Sequence, residues 1–139
     1  MMQLELSRKE FRRLLDMVYI GNWILNSNRG ADRFKDYDDV ESKLFAQCRQ
    51  EGMPSLVEKW EGEDVPSRAF SDGGIHEAIM DYEDTVFFEI LAEELARRDM
   101  EYEPVSGENY DELVSRMDDY IAEFEENGTD HLVLSSDDT

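Results

Sequence analysis

Two histidines, His76 and His131, one cysteine, Cys48, and 35 aspartates and glutamates are the side chains of this 139-residue chain that could hold a metal, move a proton or attack a carbonyl. His76-Glu77 resembles the opening of a zinc-protease helix. That chemistry needs a second histidine four residues on, and position 80 is Met80. A carboxylate-bridged di-iron bundle needs an acid three residues before each histidine, and positions 73 and 128 are glycines. Asp36-Tyr37-Asp38-Asp39-Val40-Glu41 places oxygens densely enough to suggest calcium. An EF-hand loop, however, requires an oxygen ligand at its fifth position and glycine at its sixth, where this stretch has Val40 and Glu41. The run reads better as a helix start. Gly73-Gly74 is an isolated pair with the chemistry of a turn, not a phosphate-cradling loop. No serine sits in a nucleophile elbow. Cys48, on the apolar side of a helical pattern, reads as a small buried hydrophobe. The sequence therefore points to no catalytic residue, no metal site and no cofactor.

Charge is the more informative chemistry. The net charge is -21, with ten of the fourteen positive charges carried by arginine. Its distribution is uneven: residues 1–35 carry a net +3 and residues 36–139 a net -24. Affinity for nucleic acid comes largely from neutralising phosphates, so direct nucleic-acid binding is not expected. A surface of this kind suits a protein partner with a basic surface. It also suits plain solubility or adaptation to salt, which screens self-repulsion, but adaptation alone does not account for a basic first segment. Arg8 and Arg12, together with Arg29 and Arg33 in the loop that follows, are the basic candidates for a contact surface.

The elements that position these groups are helical. Ser7 with Glu10 forms a capping-box pattern for a helix over 8–26. Phe11, Leu14, Leu15, Val18, Asn22 and Leu25 share one face of it. Met17, Ile20 and Ile24 form a second apolar strip on the opposite face, next to Trp23. A helix that is apolar on two sides is covered on both, so Met17, Ile20, Trp23 and Ile24 join the basic residues as the candidate interaction surface, with a homodimer as one way of covering it. A second helix is expected over 39–50, capped by Asp38, with Tyr37, Val40, Leu44 and Cys48 as its apolar face. A third is expected over 75–100. Its stripe moves from Ile75, Ile79, Tyr82 and Val86 to Phe87, Leu91 and Leu95, which implies a kink or break near Asp84-Thr85. A fourth is expected over 110–126, capped by Asn109 and stopped by Gly128.

The fold expected is mainly α: a compact bundle of four or five helices, with a minor two-stranded β pairing between residues 56–60 and 131–134. Residues 1–134 are expected to make a single helical domain and 135–139 a frayed tail. No stretch approaches the roughly 18 apolar residues of a membrane span, and the first residues lack the pattern of a secretory signal. The single cysteine forms no internal disulfide. These features lead to the expectation of a cytoplasmic protein. The function expected is a small acidic protein-interaction module, such as an adaptor, inhibitor or regulatory subunit. The alternative is an enzyme or divalent-ion-binding protein with a site built from scattered carboxylates. A pocket of converging acids beside a histidine would favour the alternative.

Overall fold

The computed structural model describes residues 1–135, so most of the expected tail lies outside the described residues. The chain is mainly α, with four helices of twelve residues or more and one two-stranded antiparallel sheet. It divides into two compact units, one ending at Ile79 and the other beginning at Met80.

In the first unit, α1 spans Arg8–Asn26. The Ser7 hydroxyl accepts the Glu10 N–H at 3.1 Å and the Glu10 carboxylate accepts the Ser7 N–H at 2.9 Å, which completes the capping box. Helix α2 spans Lys35–Ala46 and continues as a 3₁₀ turn, Gln47–Arg49, ending at Gly52 with φ +75°. It starts four residues before the sequence expectation. Asp38 is not its cap: its carboxylate lies inside the first turn and accepts from Arg33 and Asn22. The buried face differs for the same reason. Phe45 and Cys48 are fully buried, whereas Tyr37 and Val40 are exposed, because α2 turns Asp38 and Glu41 toward the polar side of α1.

Strands β1 (Val57–Trp60) and β2 (Glu63–Pro66) pair in register from Val57 opposite Pro66 to Trp60 opposite Glu63. The strand expected near 56–60 is present, but its partner is 63–66; residues 131–134 belong to no strand. Glu61 and Gly62 form a two-residue turn with φ of 50° and 81°, the sign pattern of a type I′ hairpin. A partner two residues away costs far less loop entropy than a distant one. After β2, Ser67 caps a single helical turn, α3 (Arg68–Phe70); its hydroxyl accepts the Phe70 N–H and donates to the Ser55 carbonyl. Ser71–Ile75 forms a wide turn in which Gly74 adopts φ +106°, as the glycine pair suggests. The core of this unit is Leu15, Phe45, Cys48, Val57 and Phe70, with Phe45 edge-on to Phe70 at 4.9 Å.

Helix α4 is continuous over His76–Asp99, with no break at Asp84-Thr85. The drift of its stripe has another cause. Ile79 is buried in the first unit, whereas Phe88, Ala92 and Ala96, four residues apart, form one face in the second. A helix that serves two units needs no single stripe.

The second unit holds the remainder of α4 and α5 (Tyr110–Asn127). Phe88 meets Phe124 at 5.4 Å, and the Tyr120 hydroxyl donates to Asp99, so the two helices run antiparallel. Asn109 precedes α5, but its side chain does not cap it. Instead, Asn109 Oδ1 accepts the Ser106 N–H at 2.8 Å and Nδ2 donates to the Pro104 carbonyl at 3.0 Å, which folds the connecting loop on itself. Gly128, with φ +57°, ends the helix as expected. No helix among the described residues is long and apolar enough to cross a membrane.

Candidate functional site

The second half of α1 carries a polar stripe where its first half is apolar. Asn22 and Asn26, one turn apart, are both buried. Buried amides need partners, and these have them. Asn26 Nδ2 donates to Asn22 Oδ1 at 2.7 Å and to the Phe34 carbonyl at 3.1 Å, while Asn26 Oδ1 accepts the Phe34 N–H at 2.8 Å. Asn22 Nδ2 donates to Asp38 at 3.0 Å. Arg33 closes the network with two bonds to Asp38, at 3.0 and 2.8 Å, and one to the Asn26 carbonyl at 3.3 Å. The amide pair thus clamps the start of α2 to the end of α1.

Beside this clamp lies a cavity of about 400 Å³ lined by Tyr19, Asn22, Trp23, Ser27, Arg33, Glu41, Pro66 and Ser71. The Tyr19 and Trp23 rings stack at 6.3 Å, and His76 stands edge-on to both, at 5.5 and 4.7 Å. The Tyr19 hydroxyl shares a 2.6 Å hydrogen bond with His76 Nε2. Glu41 is half-buried and forms no ion pair among the described residues. Burial pushes its carboxyl up to about 7; the Asn22 hydrogen bond opposes this, the Asp38 charge adds to it and the Arg33 charge opposes it. Asp38 is held below the ordinary carboxylate range, chiefly by its hydrogen bonds from Arg33. Burial, with the Glu41 charge, raises Tyr19. Arg33 and Glu41 also wall a second cavity of about 700 Å³, which Trp60, Glu61 and Glu63 help to line.

The residues singled out in the sequence separate in the structure. Trp23 and Arg33 line the first cavity. Met17 and Ile24 are exposed, at 70% and 66%, and Ile20 is half-buried between them. Met17 also helps Leu4, Leu6 and Leu14 line an open groove of about 360 Å³, with Lys9 and Arg13 among its walls. The other basic candidates are engaged within the chain. Arg12 pairs with Asp16 at 2.6 Å and lies over the Phe70 ring. Arg29 pairs with Asp32 and covers the Phe34 ring at 4.1 Å. Arg8 donates to the Gly52 carbonyl at 2.9 Å. Cys48 is buried, and burial raises its thiol. Sequence reasoning missed Tyr19 and the role of Asn22, and it weighed His76 and Glu41 as metal ligands and set them aside. The available signal was Asn22 within an apolar stripe, repeated one turn later at Asn26.

Among the described residues, no group of three His, Cys, Asp or Glu side chains converges as a metal would require. Compared with family models, with curated proteins and with solved structures, the chain shows no match to any of them.

Proposed function

We propose that this chain is a small acidic protein-interaction module that binds a partner with a basic surface. The observation that carries the reading is the strip on α1: Met17 and Ile24, with Ile20 between them, stand two turns apart in water on a chain that has polar side chains in abundance. Exposed apolar side chains that share one helix face are candidates for a contact site. Trp23, at the edge of the strip, is the residue type that most often anchors an interface. The net charge of -21 supplies long-range attraction for a basic partner.

Affinity capture from native lysate tests this, comparing the wild type with a Met17→Glu/Ile24→Glu double variant at about 0.05 M and 0.5 M salt. A protein retained by the wild type, lost from the variant and weakened at high salt supports the reading. Retention that is indifferent to the strip overturns it. A second copy of the chain is the other occupant the strip admits, because the net +3 of residues 1–35 locally relieves the repulsion between two acidic chains. Light scattering at micromolar concentration separates the two: a 32.6 kDa species, twice the 16.3 kDa chain, that reverts to 16.3 kDa in the double variant identifies the homodimer.

A further inference from the structure

The cavity beside the amide clamp has one carboxylate without an ion pair among the described residues and one pair of stacked rings. Arg33 spends its guanidinium on Asp38 and the Asn26 carbonyl, so Arg33 and Asp38 neutralise each other. Glu41 remains, half-buried at the same cavity wall, with no ion pair among the described residues, although the Arg33 and Asp38 charges both reach it. Tyr19 and Trp23, stacked on each other, line the same cavity, and His76, bonded to the Tyr19 hydroxyl, fixes their orientation. A carboxylate in partial burial gains more from an opposite charge than one in open water. An indole face adds attraction for the same charge and packs against an alkyl stem or a planar guanidinium.

We infer that this cavity is a recognition site for a cationic side chain, a lysine or arginine on an extended basic segment of a protein partner, with its charged head on the Glu41 carboxylate and its stem or guanidinium plane against Trp23. The inference rests on the interaction reading above and names the chemistry of the partner. An extended segment, rather than a free amine, fits because Arg33 and Glu41 line the second cavity as well, so the two cavities adjoin at these residues. There Trp60 is exposed, and Glu61 and Glu63 carry no ion pair among the described residues. The next basic residue of the same segment meets the same combination of tryptophan and carboxylate. Burial outweighs the Asn22 hydrogen bond and the Arg33 charge at Glu41 and pushes its carboxyl up to about 7, so the carboxylate that meets the cation prevails above that pH, and the titration is run at about pH 8.

The test titrates the full chain with a Gly-Arg-Gly-Lys-Gly-Arg peptide, its Gly-Glu-Gly-Asp-Gly-Glu counterpart, and ethylguanidinium alone, at about 0.1 M salt. Calorimetry gives the affinity and the Trp23 indole N–H resonance gives the location. The basic peptide is expected to saturate and shift the Trp23 signal, and the acidic one to do neither. Glu41→Gln and Trp23→Leu are each expected to weaken binding about tenfold, and Asp111→Asn, an exposed acid of the second unit, to change it less than twofold. Trp23 is exposed enough, at 37%, for its replacement to leave the fold intact, which melting curves check. Equal affinity in the wild type, Glu41→Gln and Asp111→Asn overturns the site in favour of diffuse attraction. No saturable shift overturns it outright, and ethylguanidinium binding as tightly as the peptide overturns the assignment to a segment. Capture that depends on Met17 and Ile24 but persists without peptide binding leaves the interaction reading standing and removes this inference alone.

Discussion

The Tyr19 hydroxyl and His76 Nε2 lie 2.6 Å apart although 57 positions separate them in the chain. The bond joins the middle of α1 to the first residue of α4 and holds both rings beside Trp23. A half-buried hydrogen bond of this kind contributes about 1 kcal/mol net. Tyr19→Phe keeps the ring and removes only the hydroxyl, so urea unfolding is expected to show a loss of about 1 kcal/mol with an unchanged slope. A loss below about 0.3 kcal/mol would mean that the bond is replaced by water at no cost.

Asn26 is expected to be the more sensitive position. It is 1% exposed and satisfies both backbone groups of Phe34, the residue that precedes α2. Asn26→Ala leaves those groups and the Asn22 carbonyl oxygen without partners, and each unsatisfied group costs about 1–3 kcal/mol. Phe34 is 39% exposed, so water recovers part of this loss and the total expected in urea unfolding is about 2–4 kcal/mol, below the sum for three fully buried groups. Asn26→Asp should be worse still near neutral pH, because it places a second carboxylate beside Asp38, now 3.5 Å from the amide nitrogen. An Asn26→Asp protein as stable as Asn26→Ala at pH 7 would contradict the geometry.

The pH dependence of Glu41 has a definite sign. Its carboxyl is pushed from an ordinary 4.5 up to about 7 in the folded chain, mainly by burial and the Asp38 charge, with Asn22 and Arg33 opposing. A folded value above the unfolded one means that the stability linked to this group is fully present below about pH 4.5 and is lost as pH rises through about 7. The full shift corresponds to about 3 kcal/mol; partial exposure reduces this to roughly 2 kcal/mol. Glu41→Gln is therefore expected to match the wild type near pH 4.5 and to exceed it by roughly 2 kcal/mol at pH 8, in chemical unfolding at each pH. A difference that grows toward acid pH would reverse the assignment.

Helix formation was legible from local signals, because capping and periodicity act within a few residues. Ser7 with Glu10 marks the start of α1, and Gly128 the end of α5. The errors arose where side chains serve distant partners. Asp38 has the composition of a cap but is claimed by Arg33 and Asn22, so α2 begins earlier. The drifting stripe of α4 records a change of unit, which periodicity alone cannot distinguish from a kink. Val57 and Trp60 at the ends of a four-residue run suggest a short strand but do not name its partner. Trp23 and Arg33 could be chosen by type alone, whereas Glu41 is one acid among 35 until α2 is placed against α1.

The whole chain is expected to gain stability with salt. A net charge of -21 repels itself, and the screening length falls from roughly 20 Å to 4 Å between about 0.02 M and 0.5 M sodium chloride. The surface ion pairs that salt also weakens, such as Lys35–Asp39 and Arg68–Asp72, contribute little each. Self-repulsion therefore dominates, and the melting temperature is expected to rise over this range. A flat or falling curve would show that the ion pairs outweigh it.

The hairpin offers a stabilising change. Glu61 sits at φ +50° and Gly62 at φ +81°, and the positive φ is natural for glycine but strained for glutamate. Type I′ turns of two residues favour Asn-Gly because asparagine tolerates the left-handed region. Glu61 makes no ion pair among the described residues, so its replacement sacrifices none. Glu61→Asn is expected to raise stability by about 0.5–1 kcal/mol, since the substitution relieves strain that the native turn must hold. Gly62→Ala should lower it by a similar amount or more, even though a Cβ there meets nothing within 4 Å, because the backbone angle itself is the obstacle. Thermal unfolding of both variants measures the pair. Equal melting temperatures for Glu61→Asn, Gly62→Ala and the wild type would mean that this hairpin is not part of the cooperative unit that unfolds with Phe45 and Phe70.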